Sequence, residues 1–446
     1  MTKKLIMRTI AANIIYQLED AGYKAFFVGG CVRDEKLGLE PKDYDITTSA
    51  TPDQIAALFP DNYDFVGAHF GVSLLKFEGA TIEVATFRKD GQYFDSRRPD
   101  SVELVTDVRE DISRRDFTVS ALLMDTSGNV TDLVGGLADL ENKLIRCVGD
   151  PDKRFQEDSL RMLRAVRFCT KLGFTLEKET EDAIKRNAHL LVNISVERIA
   201  GELAAMLTCG HADVAYNLLL DLGLATYFMP ELNAFEGCEH RSSFHPEGDV
   251  RQHVCLVLAG LPKDCSVTLA LAALTHDIAK PRCLKVGEKH NSFHGHEHVG
   301  AIMTEEILRR LKFSNDVIDT VVSHVRNHMK FFVCRQMKRS TMFRFARTPN
   351  FSELLALGRL DVGGSNKDFD DVDFAERFIA ENTAELNQPR LVTGDDLVAM
   401  GYTPGPGFKV LLDAVETAQF ERQFTTREDA LEFAKKRAKS VLGKVK

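Results

Sequence analysis

The 446-residue sequence lacks most of what would mark a secreted or membrane-bound protein. It has no CxxC pair, and its nine cysteines are scattered and odd in number. That pattern indicates neither a disulfide framework nor a thiolate zinc site. No apolar run is long enough to cross a bilayer. The basic start MTKKLIMRTI runs at once into acidic residues in QLED, unlike a transit peptide. With no secretory signal either, a cytoplasmic place is expected. Repeats and low-complexity tracts are absent. So is an excess of basic charge: the net charge is −9, which argues against wholesale coating of nucleic acid but leaves room for a local basic groove. What remains, 44% hydrophobic and 28% charged residues, describes a globular protein of two or more domains.

The chain is organised around Phe26 to Thr48. An apolar run, Ala25 to Val28, breaks at Gly29-Gly30 and is followed by a short amphipathic segment and then Asp43-Tyr44-Asp45-Ile46. The pattern predicts strand, glycine turn, helix, strand. Glycines let the backbone approach a polyphosphate, and the helix start behind them offers N–H groups to an anion. Asp43 and Asp45 stand two apart on a predicted strand, so both carboxylates would face one side. Such a pair is a seat for Mg²⁺, which takes few protein oxygens and keeps waters and substrate phosphates. Either feature alone reads as an ordinary turn or as two surface aspartates. In this order they point to phosphoryl or nucleotidyl transfer with two metals. Glu83 is a candidate third carboxylate; a solvent-facing strand residue is the alternative.

The fold class expected is α+β. Residues 1–24 read as a helix, and strands mix with short helices to about 145. Val72–Phe77 and Thr81–Thr86 form a predicted hairpin about Glu78-Gly79-Ala80, and Val119–Met124 is set to pair with Val130–Leu133. Beyond Pro151 the periodicity is helical almost to the end. Four segments follow: a small mixed-sheet head (1–145), a helical neck (146–215), a histidine-rich helical domain (216–380) and a helical tail (381–446).

Three further motifs carry chemistry. In Glu110 to Thr118, the adjacent arginines Arg114 and Arg115 can neutralise a triphosphate, since guanidinium pairs with phosphate oxygens two bonds at a time. Asp116 can accept from a ribose hydroxyl. In Glu157 to Phe168, read as one unbroken helix, Asp158, Arg161 and Arg164 repeat every three residues and share a face, with Arg167 continuing the row. Asp and Arg together can complement the edge of a base that shows an amine beside an acceptor nitrogen, as cytosine and adenine do. A salt-bridged helix face is the plain alternative. Eight of the 13 histidines fall between Arg251 and Lys330. His253, His276-Asp277, His296, His328 and Asp361 form a spaced histidine and carboxylate set suited to Mg²⁺, Mn²⁺, Fe or Ni²⁺. His290, His294, His298 and His324 are surplus, expected at the surface or behind the ligands.

These motifs, in this order over residues 20–435, resemble the class II tRNA nucleotidyltransferases (CCA-adding enzymes) and bacterial poly(A) polymerases, with an HD domain. The resemblance implies addition or repair of the tRNA 3′ CCA from CTP and ATP, with Asp43, Asp45 and Glu83 catalytic around Mg²⁺. It assigns Gly29, Gly30, Arg33, Arg115, Asp116, Asp158, Arg161, Arg164 and Arg167 to the nucleotide, with Asp158 and Arg161 as the base template and the later arginines on phosphate. It makes Arg88–Pro99 the flexible loop of enzymes that add A. Asp132–Leu140 would join head to neck, and Ser195–Ile199 would brace the neck. At position 120 the family commonly has Asn and this chain has Ser120. The HD box THDIAKP implies a divalent metal in the third segment and an accessory phosphohydrolase activity. The tail, with its Gly-rich turns, would bind tRNA. Addition of A only, or poly(A) synthesis, is the nearest alternative. A metal-dependent phosphohydrolase with an RNA-gripping head, and a tRNA-binding chaperone, are alternatives of other classes. Oligomeric state is not legible.

Overall fold

The computed structural model describes residues 3–64, 71–77, 80–91, 100–240, 248–288 and 291–441. The chain divides into two compact units. The first comprises Met1–Asn233, Pro262–Asp264 and Arg310–Lys312; the second Ala234–Leu261, Cys265–Arg309 and Phe313–Lys446. Residues 216–233, expected at the start of the histidine-rich segment, thus group with the first unit. No helix among the described residues is long and apolar enough to cross a membrane.

In the first unit, helix α1 (Lys3–Asp20) leads into strand β1 (Ala25–Val28), helix α2 (Gly30–Lys36) and strand β2 (Asp45–Thr48), the order expected from the glycine motif. After α3 (Pro52–Leu58) come β3 (Tyr63–Asp64), β4 (Val72–Phe77), β5 (Ala80–Thr86), β6 (Arg88–Asp90) and β7 (Val102–Leu104). Then follow α4 (Val108–Ser113), β8 (Leu123–Met124) and β9 (Val130–Thr131). Seven strands make one sheet in the order β3-β4-β5-β2-β1-β8-β9. β2 runs parallel to β5, and the other pairings are antiparallel. β1 and β2 are central, so their residues are mostly buried: Ala25 to Val28 is apolar throughout, and in β2 the polar Thr47 and Thr48 are buried beside Ile46. Ala11, Ile14, Ile15 and Leu18 of α1 are fully buried, and α1 packs on β1, β2 and β5. The β4–β5 hairpin forms as expected, whereas of Val119–Met124 only Leu123–Met124 is strand, paired with Val130–Thr131, because Thr118–Ser120 takes a 3-10 turn. Residues 78–79 of the first turn lie outside the described residues, as do 92–99 of the expected flexible loop.

The unit continues through α5 (Gly136–Glu141), β10 (Leu144–Ile145), α6 (Pro151–Glu157), α7 (Leu160–Leu172), β11 (Thr175–Leu176), α8 (Lys178–Asn187), α9 (Val196–Leu207) and α10 (Ala212–Asp221). The helical region holds one strand pair, β10 parallel to β11, too short to leave a periodicity in the sequence. Asp150 caps α6, accepting from the N–H groups of Asp152 and Lys153, and Pro151 presets its first turn. Gly173 closes α7 at φ +67°.

The second unit is helical: α11 (Val250–Ala259), α12 (Val267–Thr275), α13 (Lys280–Cys283), α14 (His296–Arg310), α15 (Asn315–Asn327), α16 (Arg339–Ala346), α17 (Phe351–Gly363) and α18 (Asp370–Glu381). α19 (Thr383–Leu386), α20 (Gly394–Ala399), α21 (Pro406–Phe420) and α22 (Arg427–Val441) follow. α12 is apolar all round and buried from Leu269 to Thr275, the behaviour of a central helix. The last three helices share an apolar cluster that includes Leu397, Leu411, Val415, Ala430 and Ala434.

Close approach in the head is concentrated at Gly136. A Cβ there would lie 2.3 Å from the backbone oxygen of Thr118, in the segment that follows Arg114 to Asp116. Backbone cannot yield as a flexible side chain can. Gly136→Ala should therefore cost about 1–3 kcal/mol by overpacking, read as a lower urea midpoint for the first unit; an unchanged midpoint would show that the segment gives way freely.

Candidate active site

The glycine turn has the conformation that its sequence requires. Gly29 sits at φ +78° and ψ −128°, a region left to residues without Cβ. A Cβ on Gly29 would come within 3.6 Å of Arg115 Nη1, so that guanidinium rests against the turn. Gly30 opens α2, which carries Arg33. Arg33 is buried; its Nε and Nη2 donate to Asp34 Oδ1 at 2.8 and 2.6 Å, and its Nη1 donates to Ser120 Oγ at 3.2 Å. Ser120, the departure from the family pattern, is thus a partner of Arg33. The guanidinium carbons of Arg33, Arg164 and Arg167 lie 5.2, 5.5 and 4.8 Å from the centre of the Phe168 ring, so one aromatic gathers three cations.

The acids meet across the parallel strand pair. Asp45 opens β2, and the register Ile46↔Val84 puts Glu83 of β5 beside it. Asp43 differs from expectation: it precedes the strand, because pairing with β1 begins only at Asp45. Strand alternation therefore does not aim Asp43; the bend before β2 does. The three charges still act on one another. Burial, then the charges of Asp43 and Glu83, push the Asp45 carboxyl up to about 7, with Arg115 pulling the other way. Crowded carboxylates with one cation nearby are the electrostatic state that a divalent ion relieves, so the residues fit a metal seat.

The second motif is a charge relay from α4 to the neck. Asp111 is fully buried and accepts from both Arg114 and Arg115. Asp116 accepts from Arg164 Nε at 2.8 Å and from the Phe117 N–H at 2.9 Å. Burial alone would raise the Asp116 pKa, but the charges of Arg164 and Arg161 hold it below the usual carboxylate range.

The base-reading segment is not one helix. α6 ends at Glu157, Asp158 is extended at φ −141° and ψ 100°, and α7 begins at Leu160. The cause lies in Asp158 itself. Its carboxylate accepts from the Leu160 N–H at 3.1 Å and is held by Arg198 of α9 at 2.7 and 3.2 Å, a capping arrangement that an interior helical residue cannot make. Asp158 therefore leaves the common face expected with Arg161 and Arg164. Arg161 donates to Glu157 at 2.6 Å and to the carbonyls of Arg154 and Arg114 at 3.0 and 2.9 Å, and Arg167 pairs with Glu202 at 2.6 Å. Arg198 and Glu202, i and i+4 on α9, belong to or follow the segment expected to brace the neck. Their partners were not legible, since nothing in the spacing says which helix α9 would face.

The second unit brings all six expected ligands together. His253 lies on α11, His276 and Asp277 at the end of α12, His296 at the start of α14, His328 at the end of α15 and Asp361 on α17, and all are buried. Nε2 of His253 lies 3.1 Å from Nε2 of His276 and 3.2 Å from Asp361, and Nε2 of His296 lies 3.2 Å from Nε2 of His328. Asp277 is shared: one oxygen lies 3.2 Å from His276 and the other 3.2 Å from His296. The Nδ1 atoms of His276, His296 and His328 each face a backbone carbonyl at 2.9, 2.9 and 2.6 Å, which places the N–H there and leaves Nε2 lone pairs turned on one another. That is the tautomer of metal-ligating histidine. Burial, then the charges of His276 and His296, push His328 down to about 3, so it stays neutral. Two triads, His253-His276-Asp277 and Asp277-His296-His328, each bring their ligand atoms within 4.8 Å, so the donor set fits a divalent metal.

Among the surplus histidines, His294 and His298 are exposed, His324 is instead fully buried against Glu353, and His290 lies outside the described residues. Two residues were missed. Lys280 Nζ reaches Asp277 at 2.6 Å and His240 Nε2 at 2.9 Å, beside a cavity of about 920 Å³ also lined by Phe293, Arg326 and Lys330. The i, i+3 spacing of Asp277 and Lys280 was a readable signal. His240 carried none.

Three family models match. Residues 25–146 match the poly A polymerase head domain, 173–236 the probable RNA and SrmB-binding site of polymerase A, and 254–354 the HD domain. A CCA-adding enzyme of Geobacillus thermodenitrificans (strain NG80-2) is 50% identical over 217 residues, 49% of this chain and 54% of that one. One of Lactobacillus johnsonii is 44% identical over 239 residues, 54% of this chain and 59% of that one. The chain thus spans about half the length of the curated relatives it matches. Over 99% of both chains it superposes on the Bacillus stearothermophilus CCA-adding enzyme in complex with CTP, with a TM-score of 0.75 and 28% identity. It shares the fold of the Thermotoga maritima CCA-adding enzyme complexed with tRNA_CCA, with a TM-score of 0.61 at 17% identity over 98% of each chain. The three models match in the order poly A polymerase head, RNA-binding segment and HD domain, and the relatives and solved structures to which the chain is similar are CCA-adding enzymes.

Proposed function

We propose that this chain is a cytoplasmic tRNA nucleotidyltransferase that adds or repairs the 3′-terminal CCA from CTP and ATP without a nucleic-acid template. The observation that carries the reading is the clustering of Asp43, Asp45 and Glu83 within electrostatic reach of Arg115, which itself rests on the Gly29 turn. Mg²⁺ held by Asp43 and Asp45, with Glu83 beside them, would supply Lewis acidity for the attacking 3′ hydroxyl and the α-phosphate. Arg115 brings its charge to the turn, and its buried Nε has no acceptor among the described residues. Arg33, Arg164 and Arg167, gathered on Phe168, add the positive field that a triphosphate needs.

Asp158 and Arg161 remain the base readers in this proposal. Asp158 has lone pairs beyond those given to Arg198 and Leu160, so it can accept from the amine of C or A. Arg161 must exchange Glu157 for the base. U and G turn a carbonyl towards Asp158, leaving two acceptors opposed. In the four-part division proposed, head and neck do this chemistry, the HD segment holds a second metal and the tail contacts tRNA.

The test is incorporation of labelled CTP and ATP onto tRNAs ending at the discriminator base, at C74 and at C75, with the product ends sequenced. CC followed by a single A is expected, and Asp45→Ala should lower the rate by at least about 10³-fold with the fold intact. A product that gains only A, or a run of A, would move the chain to its A-adding or poly(A) relatives.

The raised Asp45 pKa gives a second expectation. Below pH 7 the metal-free seat binds a proton that an entering ion must displace. Divalent-cation affinity should then rise by up to about tenfold per unit towards pH 7 and level off above it. The linkage also runs through folding: a carboxyl whose folded pKa is raised costs the metal-free protein stability as pH climbs from about 4 to 7. Calorimetric titrations at pH 6, 7 and 8 that gave one affinity would mean that Asp45 is already ionised.

The histidine cluster supports an accessory reading, a metal-dependent phosphohydrolase in the second unit, favoured by the cavity beside Lys280. The sharing of Asp277 suits one ion or two; the imidazole nitrogens suit Ni²⁺ or Fe, and the carboxylates Mn²⁺ or Mg²⁺. Full-length Asp43→Ala/Asp45→Ala should keep a bound transition metal in elemental analysis, whereas His276→Ala/Asp277→Ala should lose it. Phosphate release from a 2′,3′-cyclic nucleotide should follow the second pair alone, and metal retained without His276 and Asp277 would refute the assignment.

A further inference from the structure

We propose that Asp111 is a positioning residue of the triphosphate site, the anchor that fixes Arg114 and Arg115 against the phosphate turn. The inference rests on the nucleotide-binding reading above and extends it to a residue that no phosphate would touch.

Asp111 lies on α4 with a fully buried side chain. Its two oxygens are divided. Oδ1 accepts from Arg114 Nε at 3.0 Å and Nη2 at 2.5 Å. Oδ2 accepts from Arg115 Nη2 at 3.1 Å and from Thr47 Oγ1 at 3.3 Å. Thr47 stands two residues after Asp45 on β2, so strand alternation puts both on one face. One carboxylate therefore ties the strand that carries Asp45 to both arginines of the second motif. Burial would push the Asp111 pKa up, and the charges of Arg114 and Arg115 pull it below the usual carboxylate range.

The anchoring leaves Arg115 prepared rather than spent. It gives Nη2 to Asp111, while Nη1 stands by Gly29 and Nε has no acceptor among the described residues. The planar fork, fixed at one corner, holds the remaining donors towards the turn without loss of rotamer freedom on binding. Arg114 Nη1 lies 3.9 Å from Asp90, and the Arg114 carbonyl accepts from Arg161, so the same anchor reaches the base-reading segment.

Two physical accounts of Asp111 predict opposite signs. If the carboxylate acted only through its charge, removing it would make the site more positive and tighten triphosphate binding. If it positions the arginines, removing it frees them and weakens binding despite the added charge. The measurement is calorimetric affinity of the full-length protein for CTP and for CMP, wild type against Asp111→Asn. The expected result is about a tenfold weaker CTP affinity, the loss of a charge-assisted hydrogen bond, with CMP changed by less than about twofold and kcat for addition nearly unchanged while KM rises. A role in folding alone would lower stability without moving the CTP-to-CMP ratio. If Asp111→Asn does not fold, Thr47→Val, which keeps the charge and removes only the hydroxyl on Oδ2, should weaken CTP about two- to threefold with CMP unaffected. A CTP-to-CMP ratio that is unchanged or raised in the folded variant overturns the proposal. A wild-type protein that binds neither nucleotide overturns the proposal together with the function on which it rests.

Discussion

A carboxylate taken out of water must be balanced, and both candidate sites are built on different answers to that demand. In the head, Asp45 is surrounded by Asp43 and Glu83 with only Arg115 opposing them, and its pKa rises to about 7. The imbalance is left standing. In the second unit, Asp277 is more deeply buried than Asp45, but the charges of His276 and Lys280 outweigh the cost of burial and hold its pKa well below the usual carboxylate range. One site stores unrelieved negative charge for an ion and a phosphate to settle. The other is nearly neutral among its own residues and offers lone pairs. Asp45 and Glu83 are held side by side by the pairing of β2 with β5, while Asp43 is brought to them by the bend before β2.

The neck follows the opposite rule. Each charged residue expected to meet the nucleotide already has a protein partner: Arg164 has Asp116, Arg161 has Glu157, Arg167 has Glu202 and Asp158 has Arg198. In the proposed function, nucleotide binding there would be an exchange of partners. Such an exchange costs little if the new hydrogen bonds match the old, and a good deal if one buried group is left unpaired. In the proposed function, that asymmetry would be the physical basis for selection by Asp158 and Arg161. A correct base replaces what is given up, and a wrong base leaves an acceptor facing an acceptor. Asp116, read from the sequence as a ribose partner, carries the same condition, because its Oδ2 now belongs to Arg164.

The glycine turn, the sheet hairpins and the histidine set were legible because each is written in a local or strongly typed signal. Gly29 is required by its backbone angle, β4 and β5 by alternation, and the HD ligands by residue type on a helical background. The break at Asp158 was not, because helical periodicity continues through Glu157 to Phe168 and only the distant Arg198 turns the aspartate into a cap. Asp43 was read as part of a strand that begins two residues later, at Asp45, since the sequence does not show where pairing with β1 begins. His240 and the β10–β11 pair depend on contacts between segments remote in the chain and left no pattern to read. What sequence reasoning missed is thus of one kind: a side chain whose role is fixed by a partner more than a few residues away.

The two metal seats also need not compete. The head offers oxygen alone, which suits a hard cation that keeps waters and phosphate oxygens, whereas the second unit offers four imidazole nitrogens with two carboxylates, for which first-row transition ions have the higher affinity. An ion that favours nitrogen gains nothing from Asp43, Asp45 and Glu83 that Mg²⁺ in cellular excess does not already supply. In the other direction, Mg²⁺ gives up strongly held water for imidazole at a loss. In the proposed reading, ligand type therefore favours different ions at the two seats of one chain without any gate.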